Sequence, residues 1–310
     1  MTEDQVAKEQ RCGFVALIGA PNSGKSTLIN ALVGAKVAIV THKAQTTRGP
    51  MLGIAIKGIS QVVLVDTPGI FQPKRRLDRA MSGAAWTRAA EADLVALVID
   101  AERAHTARGL DAWLDPVFET LPAIKRPTIA VLNKIDLVAR PELLHLTADL
   151  SMRHAFARTF MISALTGDGV PNLKTYLAGA VPPGPWLYPE DQLTDAPLRQ
   201  AAAEITREKL FLRLHDELPY SLTVETADWK ELKDGSVRIE QTIYVMRDSQ
   251  RKIVLGAHGA TIKEISMAAR QEIGEMIGAT VHLFLFVKVR ERWGEDPERY
   301  REMGLDYPKE

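Results

Sequence analysis

Eight residues, Gly19-Ala20-Pro21-Asn22-Ser23-Gly24-Lys25-Ser26, constrain this chain more than any other stretch, because they end an apolar run and open a helical pattern. The run Phe14-Val15-Ala16-Leu17-Ile18 reads as a buried strand, and residues 25–33 read as a helix. A Gly-rich turn between strand and helix lets successive backbone N–H groups surround an anion, and the helix N-terminus adds its dipole. In that setting the match to G-x-x-x-x-G-K-S/T reads as a phosphate-binding loop rather than a chance turn. Thr27 continues the helix start beside it.

The same alternation continues through the first half. Residues 61–65, 94–99, 128–132 and 159–162 are further apolar runs of strand length, separated by helical stretches, with a last helix over 172–180. Near-continuous apolar strands alternating with helices predict an α/β domain whose mostly parallel sheet is covered on both faces. The segment Val181-Pro182-Pro183-Gly184-Pro185-Trp186-Leu187-Tyr188-Pro189 cannot be helix or central strand. It reads as a linker or an ordered surface connection. Beyond it come a helix (198–218), two alternating strands (221–228 and 236–246), a turn opening a helix to about residue 274, and a strand over 281–287. That order predicts a smaller α+β domain. The expected division is a tail (1–10), the nucleotide domain (11–181), a linker (182–197), the α+β domain (198–292) and a charged, at most loosely helical tail (293–310).

A chain of 310 residues is long for one core and comfortable for two. Hydrophobic residues make up 46% and charged residues 25%, the composition of soluble globular material. No apolar run approaches the roughly 18 residues of a membrane span. The polar, mixed-charge start argues against a secretory signal peptide. Cys12 is the one cysteine, which excludes an intrachain disulfide and a thiolate cluster and suits a reducing cytoplasm. With 39 basic and 39 acidic residues the formal net charge is zero, so any nucleic-acid surface has to be a local patch.

The remaining motifs fall at strand ends. In the phosphate loop, Lys25 is placed to reach the β- and γ-phosphates and the Ser26 hydroxyl to ligate Mg²⁺. Asp66-Thr67-Pro68-Gly69 follows a strand, so Asp66 can hold Mg²⁺ through water while the Gly69 amide senses the γ-phosphate. Asn133-Lys134-Ile135-Asp136 follows another. The Asp136 carboxylate can accept from guanine N1 and N2, a donor pair that adenine lacks. Asn133 braces the loops, and the Lys134 stem can lie over the ring. Ser163-Ala164-Leu165, after the strand 159–162, offers a backbone amide to guanine O6. Together these predict a GTP and Mg²⁺ site, and a metabolic nucleotide kinase would not need N-K-x-D followed by S-A-L.

In the second half, Gly256-Ala257-His258-Gly259 places G-x-x-G at a helix start, flanked by Val254-Leu255 and Ile262-Lys263-Glu264-Ile265. This is the loop of a KH module, which clamps a single-stranded nucleic-acid backbone against a helix N-terminus. Arg247, Arg251, Lys252, His258 and Lys263 outnumber Asp248 and Glu264, supplying the local patch. The α-β-β-α-α-β order is that of type II KH folds. If His258 is neutral, the contact falls more heavily on Arg251, Lys252 and Lys263.

With both halves in view the chain closely resembles the Era family of bacterial GTPases. The resemblance is carried by the phosphate loop, Ala44-Gln45-Thr46-Thr47-Arg48, D-T-P-G, N-K-I-D, Ile205-Thr206-Arg207-Glu208-Lys209-Leu210, Glu217-Leu218-Pro219-Tyr220-Ser221 and the G-x-x-G region. It covers roughly residues 10–305. It implies a GTPase domain followed by a type II KH domain that binds the 3′ end of 16S rRNA and assists maturation of the small (30S) ribosomal subunit. Some members associate peripherally with the inner membrane, and a monomer is expected. In related GTPases a threonine of the Thr46-Thr47 pair closes over Mg²⁺ and the γ-phosphate, and the residue before Arg, here Thr47, takes that role. Asn22 resembles an asparagine that ligates K⁺ in related GTPases. Many GTPases carry a water-orienting glutamine just after the D-x-x-G motif. Here Ile70 and Phe71 follow Gly69, so slow hydrolysis is expected. A GTP-regulated scaffold with negligible turnover, at a membrane or on a protein partner, is the alternative. RNA-stimulated hydrolysis separates the two.

Overall fold

A computed structural model describes residues 10–41, 43, 51–70, 76–107, 114–291, 293–297, 300 and 305–307. The chain divides into two compact units, Met1–Asp195 with Tyr300–Glu310, and Ala196–Arg299.

The first unit is built on a six-stranded sheet ordered β2-β3-β1-β4-β5-β6. Its strands are β1 (Arg11–Ile18), β2 (Met51–Lys57), β3 (Ser60–Asp66), β4 (Leu94–Asp100), β5 (Thr128–Asn133) and β6 (Arg158–Met161). All neighbouring pairs are parallel except β2 with β3. Successive side chains on a strand point to opposite faces, and the two cores follow that period. Val15 and Leu17 face Leu28, Ile29 and Leu32 of α1 (Lys25–Val33) on one side. Ala16 and Ile18 face the other core, formed with α2 (Arg76–Glu91), α3 (Ala101–Thr106), α4 (Asp115–Thr120) and α5 (Arg140–Arg153). Helix α6 (Val170–Ala180) returns to the α1 side through Leu173 and Leu177. Because both faces are covered, β3, β4 and β5 are buried along their whole length. Every parallel strand ends at the same edge of the sheet, where open α/β sheets place their ligands.

The proline-rich segment takes the ordered-connection form. Cys12 N donates to Pro182 O, Gly184 N to Gln10 O, and the Trp186 indole N–H to Ile59 O. Further on, Ile54 N of the edge strand β2 donates to Leu193 O at 2.8 Å. Residues through Asp195 therefore belong to the first unit. The end of the chain is also less loose than its charge suggests: Tyr300 and Leu305 form a small core with Ala80 and Met81 of α2.

The second unit holds α7 (Leu198–Arg213), β7 (Leu222–Glu231), β8 (Val237–Val245), α8 (Asp248–Leu255), α9 (Ala260–Ile277) and β9 (Val281–Val289). The sheet order is β7-β8-β9, the first pair antiparallel and the second parallel. Periodicity alone predicts one helix between β8 and β9 and the KH pattern predicts two; two are present. The Ile205–Leu210 stretch is a polar seam inside the core. Thr206 donates to the Gln241 side chain at 2.6 Å, and buried Arg207 pairs with Glu204 and lies over the Phe211 ring.

Candidate nucleotide site and nucleic-acid interface

At the carboxyl edge of the large sheet the loops enclose a cleft of about 580 Å³. The turn after β1 supplies Pro21, Asn22, Gly24, Lys25, Ser26 and Thr27 to its wall, while Gly19, Ala20 and Ser23 lie behind. Lys25 Nζ donates to Gly19 O and Ala20 O at 3.2 and 2.8 Å, so the ammonium lies across the mouth of its own loop. Burial pushes the Lys25 pKa down to about 8, against the pull of nearby Asp66. Phosphate oxygens delivered here would push the pKa back up and hold the charged form, because an anion beside a buried ammonium offsets its desolvation.

Beneath this loop the Ser26 hydroxyl donates to Asp66 Oδ2 at 2.9 Å, bringing two hard oxygen ligands together. The D-T-P-G segment is pinned to the phosphate loop. Thr67 Oγ1 donates to Leu17 O at 2.7 Å, and Ile70 N to Gly19 O at 2.9 Å. Gly69 packs so closely that a Cβ there would stand 2.7 Å from Pro21 N, which excludes any side chain. Thr67 and Gly69 line the cleft; Asp66 and Pro68 support it from behind. Ile70 is 5% exposed and packs with Ala16, Ile18 and Leu97, so its side chain serves the core.

The far end of the cleft is assembled from β5 and the loop after β6. Asn133 Nδ2 donates to Ser23 O, and its Oδ1 accepts from Ala164 N, both at 2.9 Å. One amide side chain thus ties the phosphate loop to the S-A-L loop. Ser163 Oγ accepts from Thr166 N and shapes that loop. Asp136 is exposed on the short helical turn Ile135–Leu137, and Leu165 is 82% exposed beside it. A carboxylate lining the cleft beside an apolar rim can read guanine from its N1 and N2 edge.

The motifs did not single out Asp100, Glu102, Arg103, Ile39, Val40 and Thr41, which also line the cleft. Asp100 had one legible signal: an acidic residue ending a buried strand. Asn30, in the last turn of α1, accepts from Val37 N and Ala38 N and so holds the chain that leads toward Thr46 and Thr47. Thr46 and Thr47 themselves lie outside the described residues.

In the second unit, Gly256 ends α8 and Gly259 opens α9. Between them Ala257 and His258 are exposed, and His258 takes a left-handed backbone with φ 52°. Arg251, Lys252 and Lys263 are exposed around this turn. Asp248 lies 3.7 Å from Arg251 and 3.4 Å from Lys252, tempering two of the three charges. A turn between helix ends with basic flanks can hold a phosphodiester backbone.

Fold and cleft together define the class: a P-loop GTPase joined to a KH domain. Two family descriptions match, 50S ribosome-binding GTPase over residues 14–134 and KH domain over residues 217–294. The chain belongs to the GTPase Era family. It is 62% identical over 310 residues to GTPase Era of Afipia carboxidovorans, covering 100% of this chain and 99% of that protein. To the Era of Rhizobium meliloti it is 62% identical over 299 residues, covering 96% and 94% of the two chains. A crystal structure of Era in complex with MgGDPNP and nucleotides 1506–1542 of 16S ribosomal RNA superposes with a TM-score of 0.89 at 36% identity, covering 96% of this chain and 99% of that one. A single-residue variant of Aquifex aeolicus Era bound to GDP and AlF4⁻ gives 0.85 at 36% identity, covering 95% and 99%.

Proposed function

We propose that this GTPase uses slow GTP turnover to time the attachment of its KH unit to the 3′ end of 16S rRNA during small (30S) subunit assembly. One observation carries the reading. The chain joins a nucleotide cleft to a basic-flanked G-x-x-G turn, and it is 36% identical to an Era solved with both MgGDPNP and a 16S rRNA fragment.

In this reading Lys25 and the N–H groups of residues 22–27 hold the β- and γ-phosphates. Asp136 accepts from guanine N1 and N2, the Ala164 and Leu165 segment meets O6, and the Lys134 stem lies against the ring. Ser26, Asp66 through water, and Thr47 would hold Mg²⁺. The donor chemistry fits: a hydroxyl and a carboxylate meet at 2.9 Å, and no group of three or more His, Cys, Asp or Glu is placed to cage a metal among the described residues. Mg²⁺ is the ion that leaves much of its shell to phosphates and water. When bound it supplies positive charge to the β- and γ-phosphoryl oxygens. Ile70, the residue directly after Gly69, is committed to the core and does not orient water, and turnover is slow. Exposed Asn22, with φ 65° at the rim of the cleft, is placed to ligate a K⁺ that offsets phosphate charge. Equal hydrolysis rates in K⁺ and Na⁺ would remove that role.

The experiment is a binding titration of the full chain with a labelled oligonucleotide of the 16S 3′ end, loaded with GTP analogue or GDP. Tighter binding in the GTP state is expected. Equal affinity in both states would sink the switch, and equal affinity for a scrambled oligonucleotide would sink the target.

A further inference from the structure

We propose that Asp100 is a positioning residue for base recognition, holding Lys134 so that its stem forms a rigid floor for the guanine ring. The proposal rests on the reading above that the Lys134 stem lies against the base. Strands β4 and β5 end side by side, with Asp100 directly opposite Asn133 in the parallel register. The next residue, Lys134, has left-handed backbone angles, φ 65° and ψ 36°, which a lysine rarely adopts. From there its side chain reaches the neighbouring strand end, where Nζ donates to Asp100 Oδ2 at 2.5 Å.

The pair is unequal in exposure. The Asp100 side chain is 9% exposed and that of Lys134 32%, so the carboxylate is the buried anchor and the lysine faces the cleft that both residues line. The other oxygen, Asp100 Oδ1, accepts from Arg103 N at 3.1 Å and caps α3. One carboxylate therefore ties the lysine to a strand end and a helix start. A free lysine loses rotamer entropy when a base settles on it. A lysine already held loses little, and that difference appears in affinity.

Chemistry separates this role from simple helix capping. In Asp100→Asn one oxygen remains for Arg103 N, but the amide NH₂ then faces the Lys134 ammonium, donor against donor. The full-length Asp100→Asn protein is expected to release GDP roughly tenfold faster and to show KM for GTP raised by about the same factor, the scale of a lost preorganising contact. Its kcat at saturating GTP should stay unchanged, because the phosphate end is untouched. Asp100→Ser, which can cap but cannot reach Lys134, should behave alike.

Lys134→Ala completes the test. It should weaken GDP binding, and in its background Asp100→Asn should add no further loss. Unaltered GDP binding in Lys134→Ala would refute the base-floor reading itself. If Lys134→Ala weakens binding while Asp100→Asn is silent, lowers kcat alone, or multiplies the loss independently, the role of Asp100 is overturned and the base-floor reading stands.

Discussion

Gln61 shows how much one buried side chain can organise. It is the second residue of β3 and is fully buried. Its oxygen accepts from Leu187 N at 2.9 Å and Tyr188 N at 3.1 Å, and its amide donates to Tyr188 O at 2.8 Å. Cys12 Sγ approaches the same oxygen at 3.5 Å. Gln61→Leu keeps the volume but strands three backbone groups of the connecting segment. Since an unsatisfied buried polar group costs about 1–3 kcal/mol, the variant should lose roughly 2–4 kcal/mol of unfolding free energy in urea titration. A loss under about 0.5 kcal/mol would mean that water replaces the side chain. The neighbouring Cys12 thiol is pushed above its ordinary value of 9.0 by burial, with the Leu187 N–H pulling the other way. A raised folded pKa means that stability is full below pH 9.0 and falls as pH rises toward the folded value. Cys12 should accordingly resist a disulfide reagent at about pH 8 until the protein is denatured, the thiolate being the reactive form.

At the scale of elements, the glycine turn of the second unit and the outer edge of the large sheet differ, because one is legible in the sequence and the other is not. The turn between α8 and α9 is legible from G-x-x-G together with its apolar flanks and basic neighbours, and its geometry explains the first glycine. Gly256 has φ 72°, and a Cβ there would lie 2.2 Å from Thr261 Oγ1. Gly256→Asp adds both that clash and a negative charge where an RNA phosphate would lie. It should abolish binding of the 16S 3′ oligonucleotide while GDP affinity stays within twofold, because the nucleotide cleft lies in the other unit. Retained RNA binding would move the interface elsewhere. The covered edge of β2 was not legible. Its strand is short, and its partner, Leu193, lies in a segment bounded by prolines. Leu193 O and Asp195 Oδ1 nevertheless take up the outward N–H groups of Ile54 and Leu52, closing an edge that would otherwise invite pairing with another chain.

Across the whole molecule, the chain leaves the GTPase unit after Asp195 and returns to it at Tyr300. Tyr300 is completely buried against Met81 and meets Tyr307 edge to face, with ring centroids 4.9 Å apart; Arg76 at the start of α2 lies over the Tyr307 ring. The end of the chain thus packs on the helix that follows the D-T-P-G loop. Tyr300→Ala should destabilise the GTPase unit by about 3–5 kcal/mol, the usual result of emptying a large aromatic site. Loss of nucleotide-protected thermal stability is the measurement, and an unchanged melting temperature would show the contact to be idle. Nothing local marks Tyr300 as core, since it stands among charges with no period around it. By contrast, the phosphate loop, D-T-P-G, N-K-x-D, S-A-L and G-x-x-G were legible, because each is contiguous and sits at the end of a strand or helix that its own apolar period announces. The sequence by itself determined the two units, the nucleotide chosen and the order of the loops that hold it. Only the tertiary structure decided which distant groups close the site and the edges: Asp100 beneath Lys134, Gln61 under Tyr188, Tyr300 on α2. Those pairings depend on strand register and on surfaces brought together from far along the chain, and no local pattern of residues encodes either.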